Sequence, residues 1–197
     1  MPSEGGKTTK KLILDMIEKA RELSQAPRTY WTDQLNNQDS IDGYFPLGEE
    51  IWKQTDGTID AFVHAVGTGA SSRGVATVLR RYKPDLKVGI VEPGESAVLS
   101  GGQPGPHKIE GVGVGYTPPL YEPSLVDEVI PVATDDAKAM ARRLAREEGL
   151  FAGTSGGANV IAAMQIGQRL GHDATVVTLL PDSGLKYLGT DVYRRSP

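Results

Sequence analysis

Cysteine is absent from all 197 residues of the chain. Disulfide bonds, thiolate zinc sites and a cysteine nucleophile are therefore excluded within these residues. A chain without cysteine suits a reducing compartment, which favours the cytoplasm. The three histidines, His64, His107 and His172, lie far apart in the sequence and lack the spacing of metal ligands, so we expect no metal site.

An excess of positive charge and a long apolar run are also missing. The formal net charge is −4, so the chain has no strongly basic surface of the kind that binds nucleic acid. No apolar run approaches the ~18 residues that span a bilayer. The first residues, MPSEGGK, lack the apolar region of a secretory signal. We therefore expect a cytoplasmic protein that binds neither nucleic acid nor a membrane.

The hydrophobic pattern is typical of an α/β protein. Residues 59–66 form an apolar run of strand length, residues 67–74 a glycine-rich turn, and a helix with one apolar face follows. A second strand is predicted over residues 87–91. Because two parallel strands need such a crossover between them, the unit predicts a parallel sheet with helices on both faces.

The rest of the chain completes this layer. A leading helix is predicted from residue 7 to 25, beginning at Thr8 or Thr9 and ended by Pro27. Two stretches, 33–48 and 94–123, have no clear period and are predicted to be long loops. The remaining predictions are the end of a short helix at 49–55, a strand at 126–132, a helix at 134–148, a helix buried on all sides at 158–170 and a central strand at 174–180.

The glycine-rich turn has the context of an anion site. A helix N-terminus offers unpaired N–H groups and a favourable dipole, glycines at 67, 69 and 74 let the backbone approach an anion, and the hydroxyls of Thr68, Ser71 and Ser72 add donors. By itself the turn is also compatible with a tight connection or with a dinucleotide site. Glu92, which ends the next strand, resembles the acidic residue that binds a ribose, but Ser72 stands where the third glycine of a dinucleotide motif belongs.

Several segments together resemble one family, and they occur in its order and spacing from about residue 5 to residue 187. The resemblance is to the cysteine synthase/cystathionine β-synthase family, and within it most nearly to the O-acetylserine sulfhydrylase branch. The segments that carry it are IDAFVHAVGTGASSRGV at 59–75, KVGIVEP at 87–93, ESAVLSGGQPGPHKIEGVG at 95–113, EGLFAGTSGGAN at 148–159 and LLPDSGLKYL at 179–188.

This resemblance implies the architecture of fold type II pyridoxal phosphate enzymes, a large parallel α/β domain and a smaller mobile one. Residues 1–27 would be a helix from the edge of the small domain, and residues 28–197 the large domain. The implied reaction is β-replacement, in which O-acetylserine and sulfide give cysteine. The implied cofactor is pyridoxal 5′-phosphate, and the implied partners are an amino-acid substrate, a second copy of the chain and serine acetyltransferase.

The resemblance also assigns site residues. The family's G-T-G-G-T phosphate loop corresponds to Gly67, Thr68, Gly69, Ala70 and Ser71. Two of these depart from the family's pattern. Ser71 replaces a threonine but keeps the hydroxyl, whereas Ala70 replaces a glycine and would cost about 1 kcal/mol if its φ had to be positive.

Outside the phosphate loop, the family's G-[IT]-S-[SG]-G-A turn places Ser155 opposite the pyridine nitrogen of the cofactor. From the residues alone, Ser155 is better interpreted as the N-cap of the helix expected near Ala158, and the two roles are compatible. The loop that contains His107 and Gly111 corresponds to a loop that borders the active site and responds to substrate. His107 and Lys108 are better interpreted as surface residues of that loop than as catalytic groups.

The catalytic lysine of the family is not found. Its S-x-K-[DE]-R segment and its T-S-G-N-T-G substrate loop do not occur in these 197 residues, so no catalytic residue is assigned. We expect the chain to correspond to roughly the C-terminal two-thirds of a family member and to be inactive alone. A second class of function stays open, a non-catalytic module that keeps the phosphate pocket or the dimer surface.

Overall fold

A sheet of four parallel strands organises the chain. The computed structural model describes residues 9–194, and the strand order is β3-β2-β1-β4, so the first strand lies inside the sheet. The strands are β1 (Ile59–Ala65), β2 (Lys87–Pro93), β3 (Glu128–Val132) and β4 (Thr175–Thr178). The helices are α1 (Lys10–Leu23), α2 (Asp39–Asp42), α3 (Phe45–Gln54), α4 (Ala70–Tyr82), α5 (Thr134–Arg143) and α6 (Thr154–Leu170).

Each face of the sheet carries its own apolar core, because successive side chains of a strand point to opposite faces. On one face Ala61 and Val63 of β1 belong to a cluster with Ile166 of α6. On the other face Phe62 packs in a cluster with Leu79 of α4. Helices therefore cover both faces, which confirms the predicted α/β architecture.

Two helical segments differ from the sequence prediction. The stretch 33–48 is not one long loop, since it contains α2 and the start of α3. Pro46 lies in the first turn of α3, where a backbone N–H would have no helical partner, so the N–H that proline lacks is not missed; a proline here was a usable sequence signal for the start of a helix. The α5 segment ends earlier than predicted, because the chain continues as a π-helical turn over Leu144–Glu148 and leaves it at Gly149 with φ 69°.

The strand at 174–180 was predicted to be central, and this is wrong. β4 comprises Thr175–Thr178, lies at the edge of the sheet and is half-buried along its length. The prediction of all-round burial for α6 also fails in its second half, where Met164 is 43% exposed and Leu170 is 42% exposed. An apolar run indicates that both faces of a strand or helix need to be covered, but it does not show whether other elements of the same chain cover them.

The leading helix α1 begins after the N-cap Thr9, whose side chain accepts a hydrogen bond from the Leu12 N–H at 3.2 Å. None of its residues is buried, and Leu14, Met16 and Leu23 are exposed. Assignment of residues 1–27 to a separate domain stays a prediction, and residues 1–8 lie outside the described residues. Within residues 9–194 no helix is long and apolar enough to cross a membrane.

The apolar side chains exposed on α6 predict self-association. Soluble monomers rarely expose large apolar surfaces, and α6 leaves Met164 and Leu170 uncovered, so the chain should sediment as a dimer or a larger species at micromolar concentration. Replacing Met164 and Leu170 together by lysine should shift it toward the monomer. Gln54→Lys, at an exposed position of α3 and therefore outside α6, is the control and should leave the sedimentation coefficient unchanged. A monodisperse wild-type monomer would contradict this prediction.

Candidate functional site

The connection from β1 to α4 leaves backbone donors without helical partners. The first backbone hydrogen bond of α4 runs from the Arg73 N–H to the Gly69 carbonyl at 3.0 Å. The N–H groups of Ser71 and Ser72 come before this bond, so no carbonyl of the helix is available to them. They lie at the positive end of the helix dipole, where an anion is favoured.

Each glycine of the turn is required by its surroundings. Gly69, the N-cap of α4, has φ +92°, and an added Cβ would lie 2.7 Å from the Tyr121 backbone nitrogen. At Gly67 an added Cβ would collide with the carbonyl oxygen of Gly111. Gly74 is not part of the turn, as the sequence suggested, but lies inside α4, where a Cβ would lie 2.5 Å from the Ile41 carbonyl oxygen.

The hydroxyl groups of the turn have different roles. Thr68 Oγ1 accepts a hydrogen bond from the Ala70 N–H at 3.2 Å, and the Thr68 side chain lines the cleft described below. Ser72 is buried and its hydroxyl donates to the Gly69 carbonyl at 3.0 Å, so the expectation that it contributes a donor is wrong. Ala70 opens the helix without a positive φ, and its departure from the glycine pattern therefore causes no strain.

A cleft of about 540 Å³ opens next to this turn. Ser155, the second residue of α6, lines it, so the N-termini of α4 and α6 converge on one space. The N-cap of α6 is Gly153, and the interpretation of Ser155 as the N-cap is therefore wrong. The polar and charged side chains around the cleft are Gln34, Tyr44, His64, Thr68, Ser71, Glu110, Ser155, Asn159, Asp182 and Lys186.

The loop after β2 reaches the cleft through Gly111 and not through His107. Gly111 has φ +81° and lines the cleft. His107 is buried and fixes the loop, because its ring nitrogens pair with the Gly113 carbonyl at 2.9 Å and the Ile109 N–H at 3.3 Å. The interpretation of His107 as a surface residue is thus wrong. Lys108 Nζ points to Asp191, at 3.2 Å.

The carboxylate of Glu92 is occupied by hydrogen bonds within the protein. Its buried carboxylate accepts hydrogen bonds from the Leu99 N–H at 2.7 Å, from the Ser100 N–H at 3.0 Å and from the Ser100 hydroxyl. A carboxylate with three internal donors holds the 97–102 turn and is not presented to a ribose. The observation that favoured a dinucleotide site therefore has another explanation.

Sequence reasoning missed two polar residues at the base of the cleft, His64 of β1 and Asn159 of α6. His64 is 7% exposed and Asn159 is fully buried. His64 Nε2 lies 3.0 Å from Ser71 Oγ, and His64 Nδ1 lies 3.2 Å from Asn159 Nδ2. Burial lowers the pKa of His64 to about 4, so the ring is neutral at pH 7. A histidine inside the otherwise apolar run IDAFVHAV was the available signal.

The segment after β4 lines the cleft, and its polar side chains make structural contacts. Asp182 accepts hydrogen bonds from the Tyr187 hydroxyl and from Lys186 Nζ, the latter at 3.1 Å. Ser183 Oγ accepts from the Leu185 N–H at 3.3 Å and caps the short helix Gly184–Tyr187. No group of three or more metal-binding side chains occurs in residues 9–194.

Comparison with known proteins identifies the family. The sequence pattern of the family described as pyridoxal-phosphate dependent enzyme matches residues 7–182. The chain belongs to this family. A cysteine synthase of Staphylococcus aureus is 42% identical over 179 residues, which are 90% of this chain and 58% of the relative. The family's cofactor is pyridoxal phosphate, and the expected resemblance is confirmed.

Solved structures give the same result. An O-acetylserine sulfhydrylase isoform of Entamoeba histolytica superposes with a TM-score of 0.86 at 40% identity, over 92% of this chain and 55% of that one. An O-acetylserine-dependent cystathionine β-synthase of Helicobacter pylori has a TM-score of 0.86 at 34% identity, over 90% of this chain and 58% of that one. The chain thus spans little more than half the length of these relatives, and it has their fold over that part.

The burial of His64 predicts a pH-dependent stability. The unfolded chain takes up a proton at its imidazole near pH 6.5, whereas the folded chain does so only near pH 4, so the free energy of unfolding falls as the pH decreases through this window. The loss should amount to at most about 3 kcal/mol. Denaturant unfolding at several pH values measures it. His64→Leu should flatten the curve between pH 6.5 and 4, and an unchanged curve would contradict the assignment.

Proposed function

We propose that residues 67–71 and Ser155 form the cofactor site of a pyridoxal phosphate enzyme that makes cysteine by β-replacement. The convergence of two helix N-termini on one cleft carries this proposal. The amides of the first turn of α4 and the hydroxyls of Thr68 and Ser71 would hold the phosphate. Ser155, at the start of α6, would face the pyridine nitrogen of the ring.

The donor set suits a phosphate monoester. The residues of the turn contribute N–H and hydroxyl groups and no carboxylate, so a dianion meets donors at the turn itself. The two carboxylates that line the cleft, Glu110 and Asp182, belong to other segments. A neutral hydroxyl opposite the ring nitrogen leaves the ring largely unprotonated. When bound, the cofactor supplies an electron sink, and a moderate one suffices for elimination at a β-carbon.

We further propose that these 197 residues hold the cofactor without turning substrate over. The S-x-K-[DE]-R segment of the family is absent from them, and a lysine is what joins the cofactor to the enzyme and moves the α-proton. Lys186 lines the cleft, but it is 59% exposed and paired with Asp182. Its ammonium group is therefore solvated and ion-paired, unlike a lysine activated by burial.

Assembly and location are proposals of the same kind. The exposed apolar residues of α6 support a homodimer, and the division at residue 27 is supported by the lack of buried residues in α1. Interaction with serine acetyltransferase and a cytoplasmic location rest on the family resemblance and on composition.

One binding experiment tests the function. Pyridoxal phosphate should bind saturably and inorganic phosphate should compete, whereas pyridoxal without its phosphate should bind at least about tenfold more weakly, since charge-assisted hydrogen bonds supply the anchor. Borohydride treatment should fix no single lysine stoichiometrically, and cysteine formation from O-acetylserine and sulfide should not exceed that of the free cofactor. Turnover above that level, or stoichiometric labelling of Lys186, would overturn the proposed inactivity.

Matched variants locate the ligand. Thr68→Val should weaken the binding of both pyridoxal phosphate and inorganic phosphate, because Thr68 belongs to the phosphate loop. Ser155→Ala should weaken pyridoxal phosphate alone, since inorganic phosphate has no ring. Thr77→Val, on α4 but outside the cleft, is the control and should change neither. Equal affinity of all variants would show that the phosphate binds elsewhere.

A further inference from the structure

A chain of hydrogen bonds connects the core with the turn at the start of α4. Asn159 Nδ2 lies 2.8 Å from the Leu179 carbonyl oxygen and 3.2 Å from His64 Nδ1. The other ring nitrogen, His64 Nε2, lies 3.0 Å from Ser71 Oγ. These four groups belong to β1, α4, α6 and the segment after β4, and all four residues line the cleft.

The chemistry of the groups fixes the direction of every bond. A carbonyl oxygen only accepts, so the Asn159 atom that faces Leu179 must be the amide nitrogen, whose two hydrogens serve Leu179 and His64. His64 Nδ1 therefore accepts. A neutral imidazole carries a single proton, which is then on Nε2 and is donated to Ser71 Oγ.

The fixed direction has a consequence for Ser71. Its oxygen already receives the proton of His64, so its own hydroxyl hydrogen is left for a further acceptor. Ser71 lines the cleft in the first turn of α4, where a serine hydroxyl would otherwise be able to bond back to a carbonyl of the preceding turn. The bond from His64 holds the oxygen in place and leaves the hydrogen for the cleft.

We infer that His64 and Asn159 are positioning residues, which fix the Ser71 hydroxyl as a donor to a phosphate monoester bound at residues 67–71. The inference rests on the proposed function, since it needs an anion at this loop. Neither residue was marked by the family's motifs. Each acts through Ser71, and neither is required to touch the ligand.

The cost of the arrangement supports a role beyond packing. Asn159 Oδ1 is buried without a hydrogen-bond partner in the described part of the chain, and a buried unpaired oxygen is unfavourable. The neighbouring β1 residues Val63 and Ala65 are apolar, so an apolar side chain at position 64 would be the simpler way to fill the core. His64 and Asn159 thus keep the His64 Nε2–H directed at Ser71 Oγ, although this arrangement leaves Asn159 Oδ1 without a hydrogen bond within residues 9–194.

The tautomer of His64 is the first test, made on the unaltered protein. Nitrogen-15 NMR of histidine-labelled protein at pH 7 should show His64 neutral, with the proton on Nε2, and His64→Leu assigns the signal. A proton on Nδ1, or an imidazolium ring, would overturn the inference whether or not any ligand binds.

A double-mutant cycle with inorganic phosphate as the probe is the second test. Ser71→Ala and His64→Leu should each weaken binding about tenfold, and the double variant should bind no more weakly than Ser71→Ala, because His64 acts through Ser71. His172→Leu, at an exposed histidine, is the control and should bind as the wild type does. Far-ultraviolet circular dichroism checks that each variant is folded. If His64→Leu does not fold, Asn159→Leu takes its place in the cycle.

The outcomes separate the two claims. Wild-type protein that binds no phosphate overturns the proposed function and this inference together. Wild-type binding with unchanged affinity in His64→Leu, or with additive losses in the double variant, overturns the inference and leaves the proposed function standing.

Discussion

The unpaired N–H groups at the start of α4 are the constraint on which the rest of the site depends. They exist because β1 leads directly into α4 through Gly69. The φ of Gly69 is +92°, and its surroundings leave no room for a Cβ, so only glycine fits at this position. Gly67 and Gly111 pack backbone against backbone at the same point, which brings the loop after β2 to the edge of the cleft. The apolar cores on the two faces of the sheet hold β1 and α4 in this relation.

Two buried polar side chains, His64 and Asn159, lie behind the turn at the base of the cleft. A neutral His64 brings no charge into the core, and its two ring nitrogens are paired with Ser71 and Asn159. A buried hydrogen-bond network of this kind is favourable only when each donor in it faces an acceptor. In this protein the directions of the hydrogen bonds leave the Ser71 hydroxyl hydrogen for the cleft, and in the function that we propose this hydrogen links the interior of the sheet to the recognition of an anion.

The sequence was a good guide to features that depend on local pattern. The strand–turn–helix unit, the parallel sheet and the glycine turn followed from residues 59–91, and the family followed from several segments in order. Features that depend on tertiary neighbours were not predictable. The local sequence does not show that β4 is an edge strand or that Glu92 accepts hydrogen bonds from Leu99 and Ser100. It also does not show that α6 begins early enough to make Ser155 its second residue. His64 was visible in the sequence, but its partner Asn159 is 95 residues away and only the fold joins them.

The central claim is that an anion binds to the backbone and hydroxyls at the start of α4, and amide chemical shifts test it most directly. Nitrogen-15-labelled chain titrated with pyridoxal phosphate should show saturable shifts of the N–H signals of Thr68, Gly69, Ser71 and Ser72. The α5 signals should stay in place. Shifts confined to other parts of the chain, or none at saturating ligand, would contradict the account.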